Sequence, residues 1–467
     1  MNGGSKEESV IGDGRRLFPC WPYFDPEYDN LSERINPPSV NIDNDSCNDC
    51  TLVKVDSMNK PRILLKIIQV LCDLDLMITK AYISSDGGWF MDVFHVTNQQ
   101  GMKLEDTKAI EYIKMALGPK RKIKVTEEAS NCQWKAVGMH SIGEQTAMEL
   151  IGTDRPGLLS EIFAVLADQQ CNILAAEVWT HKTRVACVVY VSDKDSCNTL
   201  SDPEKVSVMC DKLKYVLGVG GGIGGESNKA HTILSAGSTH VDRRLHQLML
   251  ADMDCENSGD EMEGNYAFSK PVVTVDYCRE KGYSMVNIRC KDRPKLLFDI
   301  ICTFTDMNYD VFHGSTFVDG LGATQEYYIR RNDGGTLDSE DEKERIRKCI
   351  QAAILRRVSE GLSLELCATD KVGLLSVVTR IIREHGLSVL RAGVNIEGGH
   401  ATNVFYVRDS SGNPVDMKAI EALQRDIGQS VMFNVRKVLN KTVKPHQSNV
   451  WAKSSFSFGT LLGRLLA

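Results

Sequence analysis

The chain has 467 residues, 42% hydrophobic and 25% charged, an ordinary globular composition with the length for three or four domains of roughly 100–150 residues each. Its 55 basic and 62 acidic residues leave a formal charge of −7, so nothing electrostatic points to nucleic acid or to an anionic membrane surface. Fifteen cysteines, an odd number spread from Cys20 to Cys367, fit a reducing compartment better than a disulfide scaffold.

Residues 1–37 read as a tail. Lys6, Glu7, Glu8, Asp13, Arg15 and Arg16 interrupt any apolar core a signal peptide would need, and Asn2 excludes myristoylation. No apolar run of about 18 residues is present to span a bilayer. The expectation is a cytoplasmic protein without a membrane partner, with the nucleus left open.

From residue 38 onward one unit recurs four times. The first module, 38–130, contains Asn59-Lys60-Pro61-Arg62-Ile63-Leu64. The second, 144–225, contains Asp154-Arg155-Pro156-Gly157-Leu158-Leu159. The third, 271–359, contains Asp292-Arg293-Pro294-Lys295-Leu296-Leu297, and the fourth, 361–442, contains Asp370-Lys371-Val372-Gly373-Leu374-Leu375. Each turn follows a short strand, as at Met148-Glu149-Leu150-Ile151, and opens a helix with one apolar face. In the second module that face is Leu158, Leu159, Ile162, Phe163 and Leu166; in the fourth only Thr379 breaks it. Two strands around a Gly-rich hairpin turn come next, as at Asp86-Gly87-Gly88 and Gly398-Gly399. A second helix follows, and in some copies a closing strand, as at Ile123-Lys124-Val125.

The order predicts an α+β fold of four tandem ferredoxin-like βαββαβ modules, each with its helices on one face of an antiparallel sheet. The interval from Pro38 to Pro271 equals that from Pro61 to Pro294, which suggests an A-B-A′-B′ duplication. Residue type agrees: Arg62 and Lys295 stand in A and A′ where Gly157 and Gly373 stand in B and B′. Residues 226–270 form a linker with a strand at 232–235, a short amphipathic helix near 239–250 and an acidic stretch at 252–263. Residues 443–467 form a second tail.

These turns and helices resemble the ACT domain, a regulatory amino-acid-binding module, and four copies with nothing else resemble the plant ACT-domain-repeat (ACR) proteins. The third copy, with its Pro-Val-Val-Thr-Val-Asp lead strand, is also similar to the C-terminal sensory region of bacterial uridylyltransferases. The resemblance implies modules pairing side by side through their sheets, with a small ligand at the strand-1/helix-1 turn. A helix N-terminus suits a carboxylate, and a glycine lets backbone approach without a Cβ. The acidic residue three positions earlier can cap the helix or accept an α-amino group. The expected ligand-binding residues are therefore Asp154, Gly157 and Leu158, with Asp370, Gly373 and Leu374. Arg62 and Lys295 would block that approach in A and A′, leaving those copies as partners that lend cations to the shared interface. Val372, in place of proline, should loosen the fourth turn. The same Asp-x-Pro-Gly sequence is equally a good helix start on structural grounds alone.

Other patterns carry less. Gly220-Gly221-Gly222-Ile223-Gly224-Gly225 matches a dinucleotide fingerprint in letters but follows a helix and not a strand. Cys47-Asn48-Asp49-Cys50 lacks a second ligand pair for zinc in the sequence, so it reads as two ordinary cysteines and no metal is expected. The hairpin strands lack the basic-Gly-aromatic signature of RNA-binding modules of this topology. No catalytic residues and no cofactors are expected. The partners are a free amino acid, glutamine first by resemblance, an unidentified protein, and a second copy of the chain in a homo-oligomer. The alternative is a ligand-free interaction scaffold or the regulatory subunit of an enzyme or kinase.

Overall fold

The computed structural model describes residues 38–60, 62–86, 88–119, 146–194, 199–218, 231–235, 240–252, 271–335, 337, 339–357, 362–397, 399–411, 415–428 and 431–437. Both tails, the glycine-rich run after Gly218, the acidic stretch past Asp252 and the strand expected at 123–125 lie outside the described residues.

The first module comprises β1 (Ser39–Asp43), β2 (Thr51–Met58), α1 (Ile63–Asp73), β3 (Met77–Asp86), β4 (Trp89–Thr97) and α2 (Thr107–Leu117). The second comprises β5 (Thr146–Thr153), α3 (Leu158–Asp168), β6 (Cys171–His181), β7 (Arg184–Asp193), α4 (Pro203–Gly218) and β8 (His231–Ser235). Helix α5 (Val241–Ala251) falls between the second and third modules. The third has β9 (Val272–Cys278), β10 (Tyr283–Lys291), α6 (Leu296–Asp306), β11 (Tyr309–Asp319), β12 (Gly322–Arg331) and α7 (Glu340–Arg356). The fourth has β13 (Leu362–Thr369), α8 (Leu374–Glu384), β14 (Leu387–Glu397), β15 (His400–Asp409), α9 (Met417–Ile427) and β16 (Met432–Lys437).

The repeat extends to backbone detail. Each module carries a bulge at the same place in its second core strand, at Thr79, Leu174, Phe312 and Leu390. Each first helix is followed by a left-handed residue: Asp75, Gln170, Asn308 and Gly386. The order βαββαβ holds in the second and fourth modules. In the first and third, the edge that β8 and β16 occupy elsewhere is taken by β1 and β9, strands that precede the module's core.

Two eight-stranded antiparallel sheets result, β1-β2-β4-β3-β11-β12-β10-β9 and β16-β13-β15-β14-β6-β7-β5-β8. The first module therefore pairs with the third, Tyr82 opposite Ser315, and the second with the fourth, Glu177 opposite Gly393. Arg62 and Lys295 thus lie away from the interface of the second and fourth modules and lend it no charge. The expectation of a shared interface between unlike copies gives way to pairing of like with like.

Each sheet packs its helices on one face over its own core. In α1 the residues Ile67, Ile68 and Leu71 are fully buried, each such side chain stabilising the fold by about 1.5–3 kcal/mol. Thr379, the polar exception, is buried and its hydroxyl donates to Leu375 O at 2.6 Å, so its own helix satisfies it.

The opposite face of the second sheet is also covered. Val241, Leu245, Leu248 and Met249 of α5 pack on Ala147, Trp179, Ala186, Val188 and Tyr190, which explains why β7 is an unbroken apolar run, Val185–Val191, instead of an alternating one. The other side of α5 meets the helices of the first sheet. His240 bonds Asp73 at 2.9 Å, Asp242 pairs with Lys295 at 2.8 Å, Arg243 with Asp306 at 2.8 Å, and His246 with Asp299 at 2.7 Å. The linker helix is the mortar between the two sheets.

One buried acid stands apart. Asp92 on β4 is 2% exposed, accepts the Ser84 amide at 3.2 Å, and burial pushes its pKa up to about 8. A raised folded-state value favours folding below the unfolded-state value and loses that contribution as pH rises through the folded one. Stability should therefore fall between roughly pH 4 and 8 by about 1.4 kcal/mol per unit from this group. Asp92→Asn keeps the acceptor, and urea midpoints measured across that range should show the slope removed.

Candidate functional site

The two helices of a module begin differently. Three of the second helices are capped by aspartate: Asp106 accepts from Lys108 N at 2.9 Å, Asp202 from Glu204 N at 3.0 Å and Asp416 from Lys418 N at 3.0 Å, whereas Ser339 before α7 makes no side-chain cap. The first helices have no side-chain cap. Their N-cap residues Arg62, Gly157, Lys295 and Gly373 all adopt the left-handed conformation, with φ of 67°, 90°, 62° and 87°. All four turns need this backbone, at low cost for glycine and at about 1–2 kcal/mol for Arg62 and Lys295.

The expected acidic residues do not cap either. Asp154 and Asp370 donate their amides across to the hairpin turn, to Thr183 O at 2.7 Å and Gly399 O at 2.8 Å, and each carboxylate accepts the amide of the following residue. Burial pushes Asp154 up to about 6 and raises Asp370 as well. Leu158 and Leu374 spend their amides inside the turn, on Arg155 O and Lys371 O, and their side chains join the core of the second sheet. At the start of α8 the amides of Gly373, Leu375 and Ser376 have no acceptor among the described residues, as the first turn of a helix dictates when no cap is supplied.

The two glycines then part company. A Cβ on Gly373 would meet nothing within 4 Å, whereas one on Gly157 would stand 2.8 Å from Cδ and Nη1 of Arg383. Beside Gly373 lies a shallow, half-open cleft whose enclosed space is about 20 Å³. One wall is the turn Asp370–Gly373 with Leu375 and Ser376; the other comes from the second module, with Phe163, Ala167, Cys171, Asn172 and Ile173. Ala167 is the penultimate residue of α3, and Arg383 holds the same place in α8. By the local symmetry that pairs the two modules, alanine leaves one cleft open and arginine fills its counterpart. In the third module the N-cap residue is Lys295 in place of a glycine, and its Nζ runs to Asp242 of α5 at 2.8 Å.

A family model described as the ACR family N-terminal ACT domain matches residues 46–124, and one described as the ACT domain matches 146–196 and 284–351. The chain is 59% identical over 454 residues to ACT domain-containing protein ACR3 of Arabidopsis thaliana, covering 96% of this chain and 99% of that one. ACT domain-containing protein ACR4 of the same plant is 50% identical over 88% of this chain and 89% of its own length. The chain belongs to the ACR family of ACT domain-containing proteins. A regulatory role goes with that membership. The fourth module lies outside both family-model matches, and its strand order and turn, the same as the second module's, make it an ACT fold as well.

Within this ACR chain the arginine of the Asp-Arg-Pro turn is a clamp and not a ligand contact. Arg155 pairs with Glu161, Nη1 to Oε1 at 2.8 Å, and donates to Val216 O of α4 at 3.2 Å. Arg293 repeats this with Asp299 at 2.6 Å and Ile354 O of α7 at 2.8 Å. Each ties the C-terminal carbonyls of its ACT module's second helix to the start of the first. Sequence reasoning brought Asp370 and Gly373 to the cleft but missed its far wall, Phe163 and Ala167 to Ile173, because that wall comes from another ACT module. The usable signal was the pair Ala167 and Arg383, visible once the second and fourth repeats are aligned.

Proposed function

We propose that the chain is a non-catalytic amino-acid sensor with one ligand cleft per chain, at the interface of its second and fourth ACT modules beside Gly373. The observation that carries this reading is the open cleft against the uncapped start of α8. A ligand α-carboxylate accepts from the amides of Gly373, Leu375 and Ser376 and gains from the helix dipole. The Asp370 carboxylate accepts from the α-ammonium, and Phe163, Ile173 and Ile396 receive the side chain, with Asn172 as a polar contact. Cys171, the lining thiol, is raised by burial away from nucleophilic reactivity, and the lining brings no nucleophile to a base.

Isothermal calorimetry of the full chain against the twenty amino acids, glutamine first, is the direct test. A few atoms in a half-open cleft imply a Kd between about 1 μM and 1 mM, and saturation near one equivalent is expected. A flat response across the panel at millimolar ligand refutes the sensor and leaves an interaction scaffold as the function of these modules.

A further inference from the structure

The first ACT module holds a cluster the amino-acid cleft does not use. Cys47 and Cys50 sit on the turn leading from β1 into β2, and β2 pairs with β4 so that Leu52 faces His95. Cys50 precedes Leu52 by two residues and so shares its face of the sheet. Its Sγ lies 3.1 Å from Cys47 Sγ and 3.4 Å from His95 Nδ1, and the donor atoms of all three are within 4.8 Å of one another. The third donor absent from the sequence reading of Cys47-Asn48-Asp49-Cys50 is supplied by a strand 45 residues away.

We propose that Cys47, Cys50 and His95 bind a thiophilic divalent metal ion, zinc(II) first, through two thiolates and one imidazole, with the fourth position left to solvent or an added ligand. Zinc takes sulfur at about 2.3 Å and imidazole nitrogen at about 2.0–2.1 Å in a tetrahedron, which sets sulfur–nitrogen edges near 3.6 Å and sulfur–sulfur edges near 3.8 Å. The Cys50–His95 distance already fits. The two sulfurs, 3.1 Å apart, open by about 0.7 Å, a movement the partly exposed turn at Cys47 allows. On binding, both thiols give up their protons and zinc(II) accepts a lone pair from each sulfur and from Nδ1, with no change of oxidation state. His95 is oriented by the edge of the Tyr82 ring, centroids 5.9 Å apart. A disulfide, the competing use of a C-x-x-C pair, would have no need of His95.

The site would have a mechanical role. β1 occupies the edge that a closing strand fills in the second and fourth modules, and its return turn is held by Asn44, which donates to Leu104 O at 3.0 Å. A metal would cross-link that turn to β4. The test is metal content of the full chain by plasma mass spectrometry, after loading with zinc and removal of loose metal in the presence of a non-thiol reductant. About one zinc per chain is expected in the unsubstituted protein, with Cys50→Ser and His95→Ala each losing most of it. Equal zinc in His95→Ala and the unsubstituted chain overturns the proposal, as does two fewer titratable thiols without bound metal, the mark of a disulfide. Should either variant misfold, a cobalt(II) titration of the unsubstituted chain decides. A thiolate-to-cobalt charge-transfer band with intense tetrahedral d–d bands supports the site, and an octahedral spectrum overturns it.

Discussion

An Ala167→Arg chain should fold normally and lose its amino-acid response, while Arg383→Ala should bind a second equivalent. The two variants exchange the residue that distinguishes the open cleft from the filled one. Ala167 is half-buried near the end of α3, and arginine is nearly as good a helix former as alanine, within a few tenths of a kcal/mol. Its new guanidinium would lie across the amides of Gly373 as Arg383 lies over Gly157. Ligand at a hundredfold its Kd stabilises the unsubstituted protein by about 2.7 kcal/mol, and that thermal shift should vanish in Ala167→Arg. In Arg383→Ala, calorimetric stoichiometry should rise from about one toward two. These substitutions are cleaner than Gly373→Val, because φ at Gly373 is +87° and a β-branched residue there costs about 1–3 kcal/mol of backbone strain. Undiminished binding in Ala167→Arg, with circular dichroism unchanged, would place the ligand elsewhere.

The sequence made the modules legible because every copy repeats the same local demands. Each needs a strand, a left-handed turn residue, and a helix with one apolar face, and all are visible in a few adjacent residues. The turn glycine was read as room for a ligand; Arg62 and Lys295 in the same left-handed state reveal that backbone geometry sets that position first. Whether space remains depends on Arg383 or Ala167, more than two hundred residues from the glycine each faces, and no local pattern encodes that meeting. The pairing of first with third and second with fourth module was latent in the duplication, since like surfaces form the local two-fold. The cover of the second sheet by α5 was written more openly. Val185 to Val191 is apolar at consecutive positions where the strands of the other modules alternate, and only a strand covered on both faces has that pattern. The Cys47, Cys50 and His95 cluster needed the β2–β4 register, which a list of motifs does not contain.

Replacing Arg357 with methionine should cost the protein about 3–5 kcal/mol at neutral pH, the range for removing one partner of a buried ion pair. The side chain follows α7 into the seam between the sheets and is 5% exposed. It forms ion pairs with Asp242 of α5 and, at 3.7 Å, with Asp299 of α6, and its guanidinium sits 4.5 Å from the ring of Trp179. Burial alone would raise both acids, yet Arg357 with Lys295 holds Asp242, and Arg357 with Arg293 holds Asp299, well below the usual carboxylate range. His246 stays neutral because burial lowers it, so it donates Nε2–H to Asp299 while Nδ1 accepts from Arg356 at 3.2 Å. Acids with depressed folded-state values contribute stability that is present above their unfolded value, near pH 4, and disappears as pH falls toward the folded one. Without Arg357 that contribution is lost, and the gap between variant and parent should narrow as pH drops below about 4. Urea melts followed by intrinsic tryptophan fluorescence at pH 7 and pH 3.5 would read it. A gap of under about 1 kcal/mol at pH 7 would mean the charges are solvated and α5 holds the two sheets by its apolar stripe alone. Asp242 keeps Lys295 at 2.8 Å in Arg357→Met, so the losses caused by Arg357→Met and Asp242→Asn should combine to less than their sum in the double variant, a coupling that two independent surface charges would not produce.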